Sequence, residues 1–138
     1  MTGNVNIMLV EDDLDDQKFF VEAICLIENA TLYGISDNGK EALERLQDQE
    51  KLPDIIFMDI NMPRMNGIDC LKAIHANPLT TDIPIVMLST SAGESAISQL
   101  IGAKGFITKP ISLESLQHLV SSMIVNVPRA ALRIIPLL

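Results

Sequence analysis

Apolar residues recur along the chain in runs with polar or turn-forming breaks between them. Val5 to Val10, Ile55 to Met58, Ile83 to Leu88 and Gly105 to Thr108 are short, nearly continuous and partly β-branched, the pattern of strands buried on both faces. Thr31 to Ile35 is a less apolar strand candidate, and Ser36-Asp37-Asn38-Gly39 behind it supplies turn residues and a helix cap. Between these runs the period becomes helical. Phe20, Ile24 and Ile27 share one face, as do Ala42, Leu43 and Leu46, and then Ile68, Leu71 and Ile74. A fourth, shorter pattern, Ala96, Ile97, Leu100 and Ile101, ends at Gly102. A fifth, Leu113, Leu116, Val120 and Met123, follows the cap candidate Ser112. Five alternating β-α units predict an α/β domain with a parallel sheet covered by helices on both faces.

In such an open sheet, ligands bind beyond the carboxyl ends of the strands, so the residues that end each strand are the informative ones. The first strand runs into Glu11-Asp12-Asp13, the third into Asp59, the fourth into Ser89-Thr90-Ser91 and the fifth into Lys109-Pro110. Several carboxylates on one rim repel one another unless a cation or a lysine compensates. A hard divalent ion suits the set. Magnesium takes one or two protein carboxylates and completes its shell with water and phosphate oxygens, which fits Asp12 and Asp59 with Glu11 behind them. Taken alone, Glu11-Asp12-Asp13 is equally a solvated helix start, where acids favour the positive end of the dipole. For Asp59 the bland alternative, a helix cap, fits poorly with Pro63 following so soon, and a carboxylate directly behind Ile55-Ile56-Phe57-Met58 is costly unless it is used.

Composition narrows the partners. The chain has 138 residues and a formal net charge of −8, which disfavours nucleic acid, since nonspecific affinity for a phosphate backbone comes from clustered Lys and Arg. No basic-then-apolar leader pattern is present, and no apolar run approaches the roughly 20 residues of a membrane span, so the expectation is a cytoplasmic protein without membrane contact. Cys25 and Cys70 fall in apolar helical segments and are expected as two buried free thiols. His75 and His118 lie on predicted helices away from the rim.

The segment Asp59-Ile60-Asn61-Met62-Pro63-Arg64-Met65-Asn66-Gly67 resembles the phosphoacceptor loop of bacterial response-regulator receiver domains. Glu11-Asp12 is similar to the family's acidic pair, Ser89 to its switch hydroxyl, Phe106 to its switch aromatic and Lys109-Pro110 to its lysine and proline. The likeness runs from about Val5 to Met123, with the motifs at the ends of four separate predicted strands. It implies a flavodoxin-like doubly wound sheet of five parallel strands, order 2-1-3-4-5, with five helices, the fold for which a chemotaxis receiver is a standard example.

What the resemblance implies chemically is a phosphoacceptor and not an enzyme with turnover. Asp59 is the nucleophile, modified by a phosphoryl group from the phosphohistidine of a sensor histidine kinase or histidine phosphotransfer protein. Mg2+ is held by Asp12, Asp59 and the carbonyl of Asn61, with Glu11 on metal-bound water. Lys109 and Ser89 contact phosphoryl oxygens, and Ser89 and Phe106 form the switch that alters the surface offered to a downstream protein. Residues 1–124 are expected as the receiver domain and 125–138 as an apolar C-terminal tail, with no output domain and with a homodimer through the tail as one option. The competing readings are a pseudo-receiver scaffold, which predicts loss of Asp12, Asp59, Ser89 or Lys109, and an aspartyl-phosphate hydrolase, which wants a carboxylate where Asn61 stands. Two features depart from the family: the stretch from Ser89 to Gly102 is about two residues short, and Gly93 weakens its helix start, so local mobility is expected from Ala92 to Gln99. Asn61 and Ser91, at the positions through which the family tunes phosphoryl lifetime, are not strong bases.

Overall fold

The computed structural model describes residues 3–48, 50–90, 102–109 and 111–130. Five strands, β1 (Val5–Val10), β2 (Ala30–Ser36), β3 (Ile55–Asp59), β4 (Ile85–Ser89) and β5 (Gly105–Thr108), form one sheet in the order β2-β1-β3-β4-β5. Every pairing is parallel. Four helices occur among the described residues: α1 (Leu14–Cys25), α2 (Gly39–Arg45), α3 (Gly67–Ala76) and α4 (Leu113–Ile124). The expected short helix over Ala96 to Ile101, the mobile stretch from Ala92 to Gln99, and Ser91 and Pro110 lie outside the described residues.

The central strands are apolar throughout because both of their faces are covered. Val5, Ile7, Leu9, Ile55, Phe57, Val86, Leu88 and Ile107 point to one side, against Phe20, Ala23 and Ile24 of α1 and Leu116, Val120 and Ile124 of α4. Met8, Val10, Ile56, Met58, Ile85 and Met87 point to the other, against Ala42 of α2 and Cys70, Leu71 and Ile74 of α3. The two sets alternate along each strand, as the two-residue period of the pleat requires. Each fully buried large side chain contributes about 1.5 to 3 kcal/mol by leaving water, so the two cores anchor the sheet from either side. At the edge, β2 slips by one residue between Ile7 and Met8, leaving Tyr33 out of register.

Each helix starts at a residue the sequence offers for capping. Asp13, Asn38, Asn66 and Ser112 accept from the backbone N–H three residues on, at Asp16, Glu41, Asp69 and Ser115. Three of these caps sit directly behind β1, β2 and the β3 loop, so capping and site placement coincide. One expectation fails. Cys70 is buried, and burial pushes its thiol up to about 12, but Cys25 is exposed. Cys25 follows Ile24 by one residue, about 100° round the helix, and so turns out of the stripe that Phe20, Ala23 and Ile24 bury.

Beyond α4 the chain turns at Asn126, whose φ of 64° a short polar side chain tolerates, and Val127 re-enters the first core. The Arg129 guanidinium donates to the Gly3 carbonyl at 2.7 Å. The buried Asp54 carboxylate accepts from the N–H groups of both Asn6 and Ala130. Residues 125–130 are thus held at the end of the sheet where the strands begin, opposite the rim where they finish. No helix of the described residues is long and apolar enough to cross a membrane.

Candidate functional site

Glu11 and Asp12 leave β1, Asp59 ends β3, Ser89 ends β4 and Lys109 follows β5, so adjacent parallel strands deliver these residues to one rim. The backbone ties the strand ends together. The Glu11 N–H donates to the Ser36 carbonyl at 3.0 Å, that of Ile60 to Leu88 at 3.1 Å and that of Lys109 to Ser89 at 2.7 Å. One ligand oxygen each from Glu11, Asp12 and Asp59 lie within 4.8 Å of one another. Asp12 is exposed, whereas Glu11 and Asp59 are buried at 1% and 6% relative exposure.

Lys109 is the cation that makes this arrangement tolerable. Its Nζ lies 2.7 Å from Glu11 Oε1, 3.0 Å from Asp16 Oδ2 and 3.7 Å from Asp59 Oδ1. Burial alone favours the neutral amine, but the bonds to Glu11 and Asp16 and the charges of Glu11 and Asp59 outweigh it, so the lysine is held more firmly protonated than usual. Burial raises the Glu11 carboxyl to about 7 against the opposing bond from Lys109. Asp59 is also raised, first by burial, with the Lys109 charge offsetting part of the effect.

A carboxyl whose folded pKa exceeds its unfolded value binds protons better in the folded state, so its effect on stability worsens as pH rises between the two values. For Glu11 that window runs from its ordinary value of 4.5 to about 7. In chelator, wild-type protein is therefore expected to lose thermal stability across this range, and Glu11→Gln is expected to flatten the slope in melts at closely spaced pH. A wild-type stability that climbs through the same window contradicts this.

The loop behind Asp59 is shaped by backbone contacts. The Asn61 N–H reaches Asp59 Oδ1 at 3.4 Å. Arg64 has a φ of 69°, with the Met65 N–H donating to the Pro63 carbonyl across it at 2.7 Å, a three-residue turn of a rare kind. The Gly67 N–H then donates to the Ile60 carbonyl at 2.8 Å, pressing the start of α3 so closely on β3 that a Cβ on Gly67 falls 2.2 Å from the Asp59 carbonyl oxygen. The Met65 carbonyl accepts from Gly39 N–H, which fastens the start of α2 to the same loop.

The structure thus brings Glu11, Asp12, Asp59 and Lys109 together at one rim. Ser89 is fully buried at the end of β4. Phe106 is half-buried, pairs with Met87 in the β4–β5 register and packs into the same core as Met87, the face to which Ser89 also belongs by alternation. Sequence reasoning missed Asp16 and Gln17. Gln17 donates from Nε2 to the Glu11 carbonyl at 2.6 Å and to Asp37 Oδ1 at 2.9 Å, bridging the ends of β1 and β2. The available signal was the Asp13 cap, since a helix beginning there turns its first-turn residues back over the strand end.

A five-stranded parallel sheet with carboxylates and a lysine at its carboxyl rim defines a doubly wound acidic-site protein of the receiver type. The chain belongs to the response regulator receiver domain family, whose pattern matches residues 7–121. It is 33% identical over 105 residues to the chemotaxis protein CheY of Thermotoga maritima, covering 75% of this chain and 84% of that protein. It is 31% identical over 127 residues to a protein-glutamate methylesterase/protein-glutamine glutaminase of Methanococcoides burtonii, covering 89% of this chain but only 35% of that longer protein. Among solved structures, the CheX-CheY-BeF3-Mg+2 complex from Borrelia burgdorferi matches with a TM-score of 0.77 and 26% identity, over 88% of this chain and 90% of that one.

Proposed function

We propose that this chain accepts a phosphoryl group on Asp59 from the phosphohistidine of a sensor histidine kinase or histidine phosphotransfer protein, with Mg2+ at the acidic rim. The observation that carries the reading is the convergence of Glu11, Asp12 and Asp59 within 4.8 Å beside the Lys109 ammonium. The donor set fits the ion, being all oxygen, close-set and open to solvent at Asp12. Asp12, Asp59 and the Asn61 carbonyl would hold it, with Glu11 reaching a bound water. When bound, it supplies charge neutralisation to the phosphoryl oxygens and to the carboxylates around them.

The protein's own groups do the rest by position and charge. An Asp59 carboxylate oxygen attacks phosphorus, the phosphorus–nitrogen bond of the donor breaks, and the imidazole departs with the electron pair. Lys109 offsets the negative charge that accumulates, and the Ser89 hydroxyl hydrogen-bonds a phosphoryl oxygen. Drawing Ser89 toward the phosphoryl group leaves room on its face of the sheet for Phe106 to turn inward. That difference between the two states shifts the equilibrium of the surface read by a downstream protein. All of Asp12, Asp59, Ser89 and Lys109 are present, which favours a working phosphoacceptor over a pseudo-receiver scaffold.

Incubation with magnesium and a small acyl-phosphate donor, followed by intact mass, is expected to show one added phosphoryl group that is absent in chelator. No adduct in the presence of magnesium supports the scaffold instead. Repeated turnover of unrelated phosphate esters supports a hydrolase.

A further inference from the structure

The Lys109 ammonium has three donors, and one of them is taken by a carboxylate outside the acidic rim. Asp16 Oδ2 sits 3.0 Å from Nζ, closer than Asp59 Oδ1 at 3.7 Å. Asp16 belongs to the first turn of α1, its N–H is fixed by the Asp13 cap at 3.1 Å, and its side chain is 44% exposed. Helix-start electrostatics alone explain an acid in this turn, but they do not require it to bond a lysine that follows β5. Its neighbour Asp15 satisfies the same dipole, and no bond from it to Lys109 is seen among the described residues.

We propose that Asp16 is a positioning residue that holds Lys109 toward α1 in the unphosphorylated protein and competes with the phosphoryl group for its ammonium. The inference rests on the phosphoacceptor reading of Asp59 and adds a cost to it. On this proposal, Lys109 closing on a phosphoryl oxygen at Asp59, whose Oδ1 is now 3.7 Å from Nζ, draws the ammonium toward β3 and stretches the 3.0 Å contact to Asp16. Glu11 is buried and close, so it keeps its bond to Lys109. Asp16 is the half-exposed partner, and water takes over its carboxylate at little expense. The contact therefore stabilises the resting state and not the phosphorylated one, and removing it shifts the balance toward the latter. Because Asp16 is carried by α1, occupancy of Asp59 also changes the charge displayed on that helix.

The competition is read most directly without any covalent step, by magnesium-dependent binding of beryllofluoride, which stands in for the phosphoryl group. Asp16→Asn is expected to tighten that binding by roughly three- to tenfold, the scale of one charge-assisted bond near a surface. Asp16→Glu, which keeps an acceptor, should restore much of the wild-type affinity. Asp15→Asn removes an equal charge from the same turn and is expected to change affinity by less than about twofold. In a Lys109→Ala background, Asp16→Asn should have no further effect, and thermal melts show that each variant is folded.

Equal effects of Asp16→Asn and Asp15→Asn reduce the result to loss of a nearby negative charge and overturn the proposal. So does an Asp16→Asn effect that survives Lys109→Ala, or weaker binding in a folded Asp16→Asn protein. Wild-type protein that binds neither magnesium nor beryllofluoride overturns the phosphoacceptor reading itself, a failure distinct from these.

Discussion

Lys109→Ala is expected to slow formation of the Asp59 acyl phosphate by on the order of 100-fold at fixed magnesium and donor, the usual cost of removing one preorganised donor aimed at developing charge. The same substitution leaves Glu11 and Asp59 facing each other without the cation between them. Breaking a buried pair by deleting one partner is destabilising because the other charge stays behind. Here the penalty is limited, since Glu11 already titrates at about 7 and escapes by taking a proton. Stability in chelator should therefore drop by about 1 to 3 kcal/mol near pH 8 and recover much of the loss near pH 5.5. Time courses by intact mass give the kinetic half, and denaturant titrations at the two pH values give the other. A Lys109→Ala protein phosphorylated at the wild-type rate removes the lysine from the chemistry.

Gly67→Ala is expected to cost about 3 kcal/mol or more, at the high end for a single added methyl. The reason is specific to this junction. The new Cβ meets the Asp59 carbonyl oxygen at 2.2 Å, Ile60 Cα at 2.9 Å and the Asp59 carbonyl carbon at 3.0 Å, all backbone atoms of the strand end that carries the phosphoacceptor. No side chain can swing aside, so either α3 or the end of β3 must move. Acyl phosphate yield should fall with stability. Gly105→Ala is the matching control, because its Cβ meets only Met123 Cε at 3.6 Å, and its melt should stay near wild type. Equal melts for the two variants contradict the close approach.

The fold was readable because buried parallel strands and amphipathic helices carry different periods, and the strand ends carry one or more polar residues each. Val5–Val10 and Gly105–Thr108 match the pattern residue for residue. β4 begins at Ile85 and not Ile83, since Pro84 brings no N–H to the ladder although Ile83 is itself buried. The apolar run marked burial, and burial alone does not mark pairing. Cys25 is the converse case, a residue within an apolar helical segment whose angle on the helix turns it away from the buried stripe of Phe20, Ala23 and Ile24.

The site was legible to the extent that single residues ended single strands. Asp59, Glu11, Asp12 and Lys109 are found that way. Asp16 and Gln17 are not, because their contacts depend on how α1 tilts over the ends of β1, β2 and β5, a tertiary relation with no period of its own. Gly67 was visible only as the last letter of a motif. Its reason, the backbone of one element pressed on that of another, needs coordinates.

Reductive trapping tests the role of Asp59 most directly. Borohydride converts an aspartyl phosphate to homoserine, so protein treated with magnesium and a small acyl-phosphate donor, reduced and digested, should carry homoserine at position 59 and at no other aspartate. Homoserine at Asp12 or Asp16 with position 59 untouched, or none at all in folded, magnesium-loaded protein, contradicts the assignment.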